Sequence, residues 1–374
     1  MKWLIIFAIP LMLMAEPNSK CLPPCGPCDR DVPQDPLEHI QDGPSYPCEL
    51  PPKGCIPWDA DLFKRCTEIY SAHLEFLFWQ AVEGGMDYAL EMKQPAWGPD
   101  PSFAQGTYES GTFNLEPGLR VGLIYFRAKH NWEMRFEYTR LTARGSNSAH
   151  APNSPGEFLT ATWPVNTPAP LAKASSHTHM NYNVFDYDVD RVFTPNFHVR
   201  LRYLGGLMIA WMDQDWKVRY TDLSNNTAVV QNRWHYVGAG LKTGTVGDWF
   251  LTSDIYLTGQ ATFGALIGRY SNQALQRQSF ATTPSDNPAI PVRNTYYSDT
   301  RPAFQVQFIL GPSWQKNFCD YRVEAFVGYE TNFWFNLQNI YHSTAGAPSA
   351  PKETWINTAM MGLYGLTARV TLDF

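Results

Sequence analysis

The end of the chain alternates apolar and polar residues with a period of two. Neighbouring side chains of a β-strand point to opposite faces, so a strand with this alternation has one lipophilic and one polar face. A strand of this kind that ends on an aromatic residue is typical of bacterial outer-membrane barrels. We therefore predict that the last segment is a barrel strand and that Phe374 is the barrel-insertion signal. The apolar set comprises Tyr364, Leu366, Ala368, Val370, Leu372 and Phe374.

The same alternation recurs along the chain from residue 72 onward. In 72–93 the apolar residues occupy even-numbered positions on both sides of Glu83, Gly84 and Gly85. This pattern indicates either one strand bent at the glycine pair or a hairpin of two shorter strands. The predicted fold is an all-β, transmembrane, antiparallel barrel of ten strands if this segment is one strand, with twelve as the alternative. The other predicted strands are 119–125, 132–139, 185–190, 197–220, 233–244, 249–270, 301–310, 321–335 and the C-terminal strand.

Two predicted hairpins bring opposite charges together on the polar face. A turn at 128–129 would join the first pair of strands, and a turn at 194–196 would join the second. Charge compensation across strands supports the registers that these turns impose. The predicted pairs are Val121 with Phe136, Arg120 with Glu137, Asp190 with Arg200 and Asp188 with Arg202.

The connections alternate between short and long, and this alternation predicts the orientation of the barrel. Outer-membrane barrels have short turns on the periplasmic side and longer loops outside. Both ends of the barrel are therefore predicted to be periplasmic. The predicted short turns are 128–130, 194–196, 245–248 and 312–319, and the predicted long loops are 94–112, 142–178, 221–232, 271–299 and 336–356.

Residues 1–15 are predicted to be a signal peptide, because Lys2 precedes a short apolar run and Ala15 offers a cleavage point. Mean hydropathy is only −0.31, but alternation hides a lipophilic face from an average over the chain. The aromatic fraction of 14% exceeds what an ordinary core requires, which also favours a barrel. The net charge of −6 argues against nucleic acid as a partner.

Residues 16–66 are predicted to be a Cys/Pro-rich periplasmic extension, followed by the barrel at 67–374. The exported compartment is oxidising and no histidine lies at ligand spacing, so disulfides are favoured over zinc. The chain has 7 cysteines, an odd number, so one thiol is left over, either free or for a bond to another protein. The disulfide candidates are Cys21, Cys25, Cys28, Cys48, Cys55, Cys66 and Cys319.

Several short segments resemble the MOMP-like outer-membrane proteins of chlamydia-related and Legionella-type bacteria. The resemblance covers about residues 74–374 and implies an outer-membrane barrel with porin or adhesin roles, without catalytic residues to transfer. Disulfide-linked envelopes are associated with such bacteria. The segments are 76–79 (FLFW), 83–89 (EGGMDYA), 117–123 (PGLRVGL), 131–132 (NW), 211–216 (WMDQDW) and the terminal Phe374.

The polar faces of the predicted strands assign a charged lining to the lumen. The opposite charges of such a lining either pair with one another and close a small barrel, or surround a narrow pore that selects solutes by size and charge. The resemblance favours a porin-like channel for small solutes with a structural role in the envelope. The alternative is a non-conducting structural or adhesin barrel that uses loops 142–178 and 271–299. The predicted lining residues are Arg120, Glu137, Asp186, Asp188, Asp190, Arg200, Arg202, Arg322, Glu324 and Arg369.

An outer-membrane hydrolase is the weakest hypothesis. The acidic runs 186–190 and 213–215 contain bases, but catalysis needs a base and its orienting partner in one pocket, and no nucleophile motif is present. We expect Asp213 and Asp215 to end or bend a strand. No catalytic residue, metal or cofactor is predicted. The expected partners are outer-membrane lipid, the barrel-assembly machinery, small solutes, and either disulfide-linked envelope proteins or further copies of the chain.

Overall fold

The structure is a computed structural model, and nearly all of the residues that it describes are β-strand. Thirteen strands form one antiparallel sheet. In the described part of the chain, no helix is long and apolar enough to cross a membrane. The described residues are 68–93, 106–127, 132–153, 155–163, 170–196, 198–252, 254–278, 290–317, 321–343 and 354–374.

The strands range in length from 5 to 28 residues. They are β1 (Glu68–Glu83), β2 (Asp87–Lys93), β3 (Gly106–Ser110), β4 (Leu115–Arg127), β5 (Trp132–His150), β6 (Glu157–Ala161), β7 (Leu171–Asn196), β8 (Val199–Asp222), β9 (Thr227–Phe250), β10 (Ile255–Gln278), β11 (Ile290–Asn317), β12 (Arg322–Ser343) and β13 (Thr354–Asp373).

Ten of these strands close into a barrel, in the order β1-β4-β5-β7-β8-β9-β10-β11-β12-β13. The ring closes where β13 pairs with β1, from Ser71 opposite Asp373 to Glu83 opposite Met361. Phe374 adds to this seam, because its N–H donates to the Tyr70 carbonyl at 2.9 Å. The predicted barrel of ten strands is confirmed.

The segment around Gly84 and Gly85 is neither a hairpin nor a continuous strand. Gly85 has a φ of 74°, a left-handed conformation that favours glycine. After this bend β2 leaves the barrel wall and pairs with β3 and β6 instead of β1. The predicted common face is therefore wrong: Val82 is exposed on the outer face, whereas Met86 and Tyr88 are buried. We call β2, β3 and β6 the cap.

Much of several predicted loops and of three predicted turns is strand in the structure. The predicted loop 142–178 contains the end of β5, all of β6 and the start of β7, and 271–299 is largely β10 and β11. The predicted loops 221–232 and 336–356 are likewise shortened by the strands on either side, and 94–112 contains β3. The predicted turn 245–248 lies inside β9, and the chain turns at 251–254 instead. β11 continues to Asn317, through most of the predicted turn 312–319, and β7 continues to Asn196, through the predicted turn 194–196. Where a strand extends beyond the lipid, its outer face need not be apolar, so these segments are rich in polar residues. Hydrogen bonds to neighbouring strands keep them extended.

Both predicted hairpin registers are wrong, by an even number of residues. In the first hairpin Val121 lies opposite Tyr138 and Arg120 opposite Thr139, because four residues separate the strands and not two. In the second, Asp190 lies opposite Leu204 and Asp188 opposite Gly206, so neither faces Arg200 or Arg202 directly. Side chains alternate with a period of two, so an even shift leaves every residue on its predicted face.

The predicted signal peptide 1–15 and extension 16–66 lie outside the described residues, and so does Cys319. The same holds for the six N-terminal cysteines, Cys21, Cys25, Cys28, Cys48, Cys55 and Cys66.

Candidate functional site

The structure places all ten predicted lining residues on the inner face of the barrel. Arg202 and Arg369 are mostly buried, and the other eight are buried. They belong to six strands, β4, β5, β7, β8, β12 and β13. Together with further charged groups they form what we call the charged layer. It fills the half of the lumen nearer the short turns, the end that was predicted to be periplasmic and that we call the periplasmic end.

Arg120 joins three strands in this layer. Its Nη1 lies 2.5 Å from Glu75 Oε2 on β1, and its Nη2 lies 2.8 Å from Glu330 Oε1 on β12. Its Nε donates to Thr139 Oγ1 on β5 at 2.9 Å. Glu330 is fully buried and also accepts a hydrogen bond from Thr367 Oγ1 at 2.7 Å. All of these groups are satisfied by one another, as buried charges require.

Two acids of β7 and two arginines of β8 have partners on β9. Lys242 Nζ lies 3.2 Å from Asp186 Oδ1 and 3.0 Å from Asp188 Oδ2. Arg200 and Arg202 both contact Asp248 Oδ2, at 2.9 and 3.1 Å. Asp188, Arg200 and Arg202, which were predicted to pair across this hairpin, are therefore compensated by a third strand.

A further network lies near the closing seam. Arg322 contacts Asp373, and Arg369 bridges Glu75 at 3.5 Å and Glu324 at 3.3 Å. On the β5 side, Arg135 contacts Glu133 at 2.7 Å and Asp190 at 3.7 Å. Ion pairs thus link β5, β7, β8 and β9 on one side of the lumen, and β1, β4, β12 and β13 on the side of the closing seam.

Sequence reasoning missed four inner residues. His73 and Glu75 could have been found from the alternation in β1, because they intervene between outward-facing apolar residues. Lys242 and Asp248 also lie at inward positions of β9, but the turn predicted at 245–248 interrupted the alternation there.

His73, Glu75 and Glu137 are the group of described residues whose ligand atoms are close enough to hold a metal ion, within 4.8 Å of one another. His73 Nε2 lies 3.1 Å from Glu137 Oε1. Arg120 and Arg369 already contact Glu75, so a metal ion there would be repelled by two guanidinium groups. The donor set is suitable, but its surroundings disfavour a cation.

A second layer of aromatic residues closes the lumen above the charged layer. The ring centroid of Tyr182 lies 6.5 Å from that of Trp79 and 6.2 Å from that of Trp334. Asn332 Nδ2 donates to the Tyr182 hydroxyl at 3.0 Å. Counted around the ring, β7 and β12 are five strands apart in either direction, so this hydrogen bond crosses the full width of the barrel. We call Trp79, Tyr182, Asn332 and Trp334 the aromatic layer.

The spaces left inside the barrel are small. One cavity of about 50 Å³ is lined by residues of the charged layer that include Glu133, Arg200 and Arg369. Another, of about 20 Å³, lies between Arg120, Tyr182 and Lys242. A water molecule needs roughly 10–15 Å³ measured in this way, so the two spaces hold only a few waters.

The outer face of the barrel divides into two zones. The zone nearest the periplasm carries exposed apolar side chains such as Leu123, Leu241 and Ile267, and it forms an apolar belt. Trp132, Trp249 and Trp314 are exposed at the periplasmic edge of this belt, as expected for rings at a lipid interface. The belt ends where the outward positions become polar, at Arg140, Asn183, Asp213, His235 and Arg269.

Trp234 and Trp334, in contrast to these three tryptophans, do not lie at the lipid interface, although both are near the ends of predicted strands. Both side chains are buried inside the barrel, because their positions have inward parity on β9 and β12.

The barrel strands continue beyond the apolar belt, and we call this part of the barrel the projecting wall. The cap packs against its inner face. The Tyr220 hydroxyl on β8 donates to the Tyr88 carbonyl on β2 at 2.6 Å. Burial raises the pKa of the Tyr220 phenol well above its ordinary value, so the hydroxyl stays protonated and remains a donor. Trp216 packs edge-on against Trp163, with ring centroids 5.6 Å apart. The outer end of the lumen is therefore filled as well.

The sequence profile described as Legionella pneumophila major outer membrane protein precursor matches residues 66–373. The chain belongs to this family. The resemblance predicted from the sequence is thus confirmed, and so is the location in the bacterial outer membrane. Among curated proteins, no sequence matches the chain.

Solved outer-membrane proteins are similar to the family member in fold only. The outer membrane protease OmpT of Escherichia coli is 10% identical, with 82% of this chain and 96% of OmpT covered and a TM-score of 0.37. A FadL homologue of Pseudomonas aeruginosa is 10% identical, with 82% and 90% covered and a TM-score of 0.26. The toluene transporter TodX of P. putida is 7% identical, with 82% and 89% covered and a TM-score of 0.25.

Proposed function

We propose that this protein is a structural barrel of the outer membrane whose lumen is closed to solutes. The hydrogen bond from Asn332 to Tyr182 carries the proposal, because it joins opposite walls of the barrel. Solutes that entered from outside would meet the cap first, then the aromatic layer and then the charged layer.

The charged layer supports a structural role because its ion pairs join strands that are not neighbours in the ring. Arg120 on β4 reaches Glu330 on β12, and Lys242 on β9 reaches Asp186 on β7. Breaking a buried pair by removing one partner costs about 3–5 kcal/mol. Such contacts therefore hold the cross-section of the barrel in one shape.

The porin-like channel remains the competing hypothesis. It requires the side chains of both layers to leave the lumen, and the described cavities leave no continuous path for a solute. The adhesin alternative assigned contacts to loops 142–178 and 271–299, much of which is strand. An adhesive surface on the strand residues of these segments would thus be a rigid wall.

Planar-bilayer recordings test the closed barrel. Purified, folded protein is expected to leave the membrane silent, because the lumen contains no continuous water path. Insertion is verified separately by flotation of the same preparation with lipid vesicles and by its heat-modifiable migration in gels. Reproducible single-channel steps that grow with salt concentration would contradict the proposal and favour the porin.

We further propose that the barrel has no hydrolase activity. The outward acids Asp213 and Asp215 are engaged, since Asn181 Nδ2 donates to Asp213 at 2.7 Å and Arg233 Nε contacts Asp215 at 3.0 Å. Asp213 was expected to end or bend a strand, but it lies within β8. Peptide and ester substrates should remain intact with the purified barrel. Turnover that Asp213→Asn abolishes would show the proposal to be wrong.

A further inference from the structure

The outer face of the projecting wall is strongly cationic just beyond the apolar belt. The outward positions of β5, β7, β8, β9 and β10 in this zone carry eight Lys or Arg residues and two Asp residues, which is a net charge of +6 with histidines neutral. The whole chain, in contrast, has a net charge of −6. We call the eight residues the cationic collar: Arg140, Arg144, Lys173, Lys217, Arg219, Arg233, Arg269 and Arg277.

The two acids of this zone do not neutralise the collar. Asp215 contacts Arg233 and accepts hydrogen bonds from Gln231 Nε2 at 2.7 and 2.8 Å, while Asp213 accepts one from Asn181. Within the part of the chain that the structure describes, no ion pair links the other seven collar residues to a carboxylate. Seven cations of the collar are thus available to an anion from outside the chain.

The collar begins at the level where lipid head groups meet the barrel. Along one row of cross-strand neighbours, Arg140 is followed by Asn183, Trp211, Val237 and Arg269. This row contains both apolar and cationic side chains, and the positions on its periplasmic side are apolar. Neighbouring strands are about 4.8 Å apart, so Arg140 and Arg269 are separated by roughly 19 Å along the row. The collar is wide enough to meet more than one charged group of a lipid.

A polar groove lies within the collar. It has a volume of about 300 Å³ and is lined by side chains that include the acids Asp213 and Asp215 together with His179, Arg233, His235, Gln273 and Tyr296. The two acids can accept hydrogen bonds from sugar hydroxyls. Donors, acceptors and an aromatic ring around one recess suit a sugar ring, whose hydroxyls need hydrogen-bond partners.

We propose that the cationic collar binds the phosphorylated sugar head groups of glycolipids in the outer leaflet. The phosphates contact the arginines and lysines, and the sugar occupies the groove. Arginine suits this role because its guanidinium group can donate two parallel hydrogen bonds to one phosphate. The apolar belt directly below accommodates the acyl chains of the same lipid.

Three collar residues on three strands give a direct test. The full chain, folded in an uncharged detergent, is titrated with a bisphosphorylated glucosamine disaccharide lipid. The variant Arg140→Gln, Lys217→Gln, Arg269→Gln should bind about 100-fold more weakly, since each cation near a charged lipid surface contributes roughly 1 kcal/mol. The matched control is Arg127→Gln, Arg191→Gln, Lys316→Gln, three exposed cations at the periplasmic end, and its affinity should stay within about twofold.

A second measurement compares the lipid with and without its phosphates and needs no protein variant. The unmodified barrel should bind the dephosphorylated lipid far more weakly, and added NaCl should weaken its binding of the phosphorylated lipid. Equal binding of the two lipids, or equal loss in the collar and control variants, would overturn the proposal. Channel recordings do not bear on this result, so a failure here is separate from a failure of the closed barrel.

Discussion

Replacement of Arg120 by methionine is expected to destabilise the folded barrel by about 3–5 kcal/mol. Methionine keeps much of the side-chain length but leaves Glu330 fully buried without its guanidinium partner. Glu75 keeps Arg369 at 3.5 Å, so the main loss lies at Glu330. The measurement is the free energy of unfolding from urea titration of the refolded protein in detergent micelles.

Two further variants separate the buried charge from general effects of the substitution. Arg127→Met removes an exposed arginine of the same strand and should change the free energy of unfolding by less than about 0.5 kcal/mol. Adding Glu330→Gln to Arg120→Met removes the orphaned charge and should restore part of the loss. A loss below about 1 kcal/mol for Arg120→Met would mean that water reaches Glu330 and that the charged layer is open.

Replacement of Trp79 by alanine is expected to cost a similar amount, about 3–5 kcal/mol, through the cavity that it leaves. The Trp79 side chain is fully buried, and its indole N–H donates to Thr367 Oγ1 at 3.2 Å. The guanidinium carbon of Arg120 lies 5.4 Å from the ring centroid, a cation–π contact that the substitution also removes. The same urea titration measures the loss.

Phe78 is the matched control for Trp79 because it is the preceding residue of β1 and faces lipid, with 37% of its surface exposed. Phe78→Ala should cost less than the Trp79 substitution by at least about 2 kcal/mol, since no closed cavity forms on the outer face. Equal losses would indicate that the aromatic layer is loosely packed.

The alternation of residues predicted the barrel because only helices and closed barrels satisfy all backbone groups in lipid, and no segment after residue 15 is apolar over the length of a membrane-spanning helix. It also assigned Arg120, Asp188 and Arg322 to the inner face. It failed where the strands leave the lipid: there the outward residues of β5 and β7 are polar, and the segment 142–178 has the composition of a loop.

Pairings across strands could not be predicted because they depend on the length of turns. Asp188 and Arg202 have the right charges to pair, but the register separates them and Lys242 and Asp248 of β9 become their partners. The cap could not be predicted either. Its buried residues continue the parity of β1, and only the left-handed conformation of Gly85 turns the chain inward.

The seam between β1 and β13 also determines when the barrel can form. Ser71 pairs with Asp373, so the contact that closes the ring joins residues close to the two ends of the described chain. A topology with such high contact order closes slowly, and until β13 arrives the edge of β1 is an open template for pairing with other chains. The chain therefore depends on protection during its passage through the periplasm, and a version truncated before β13 should aggregate there.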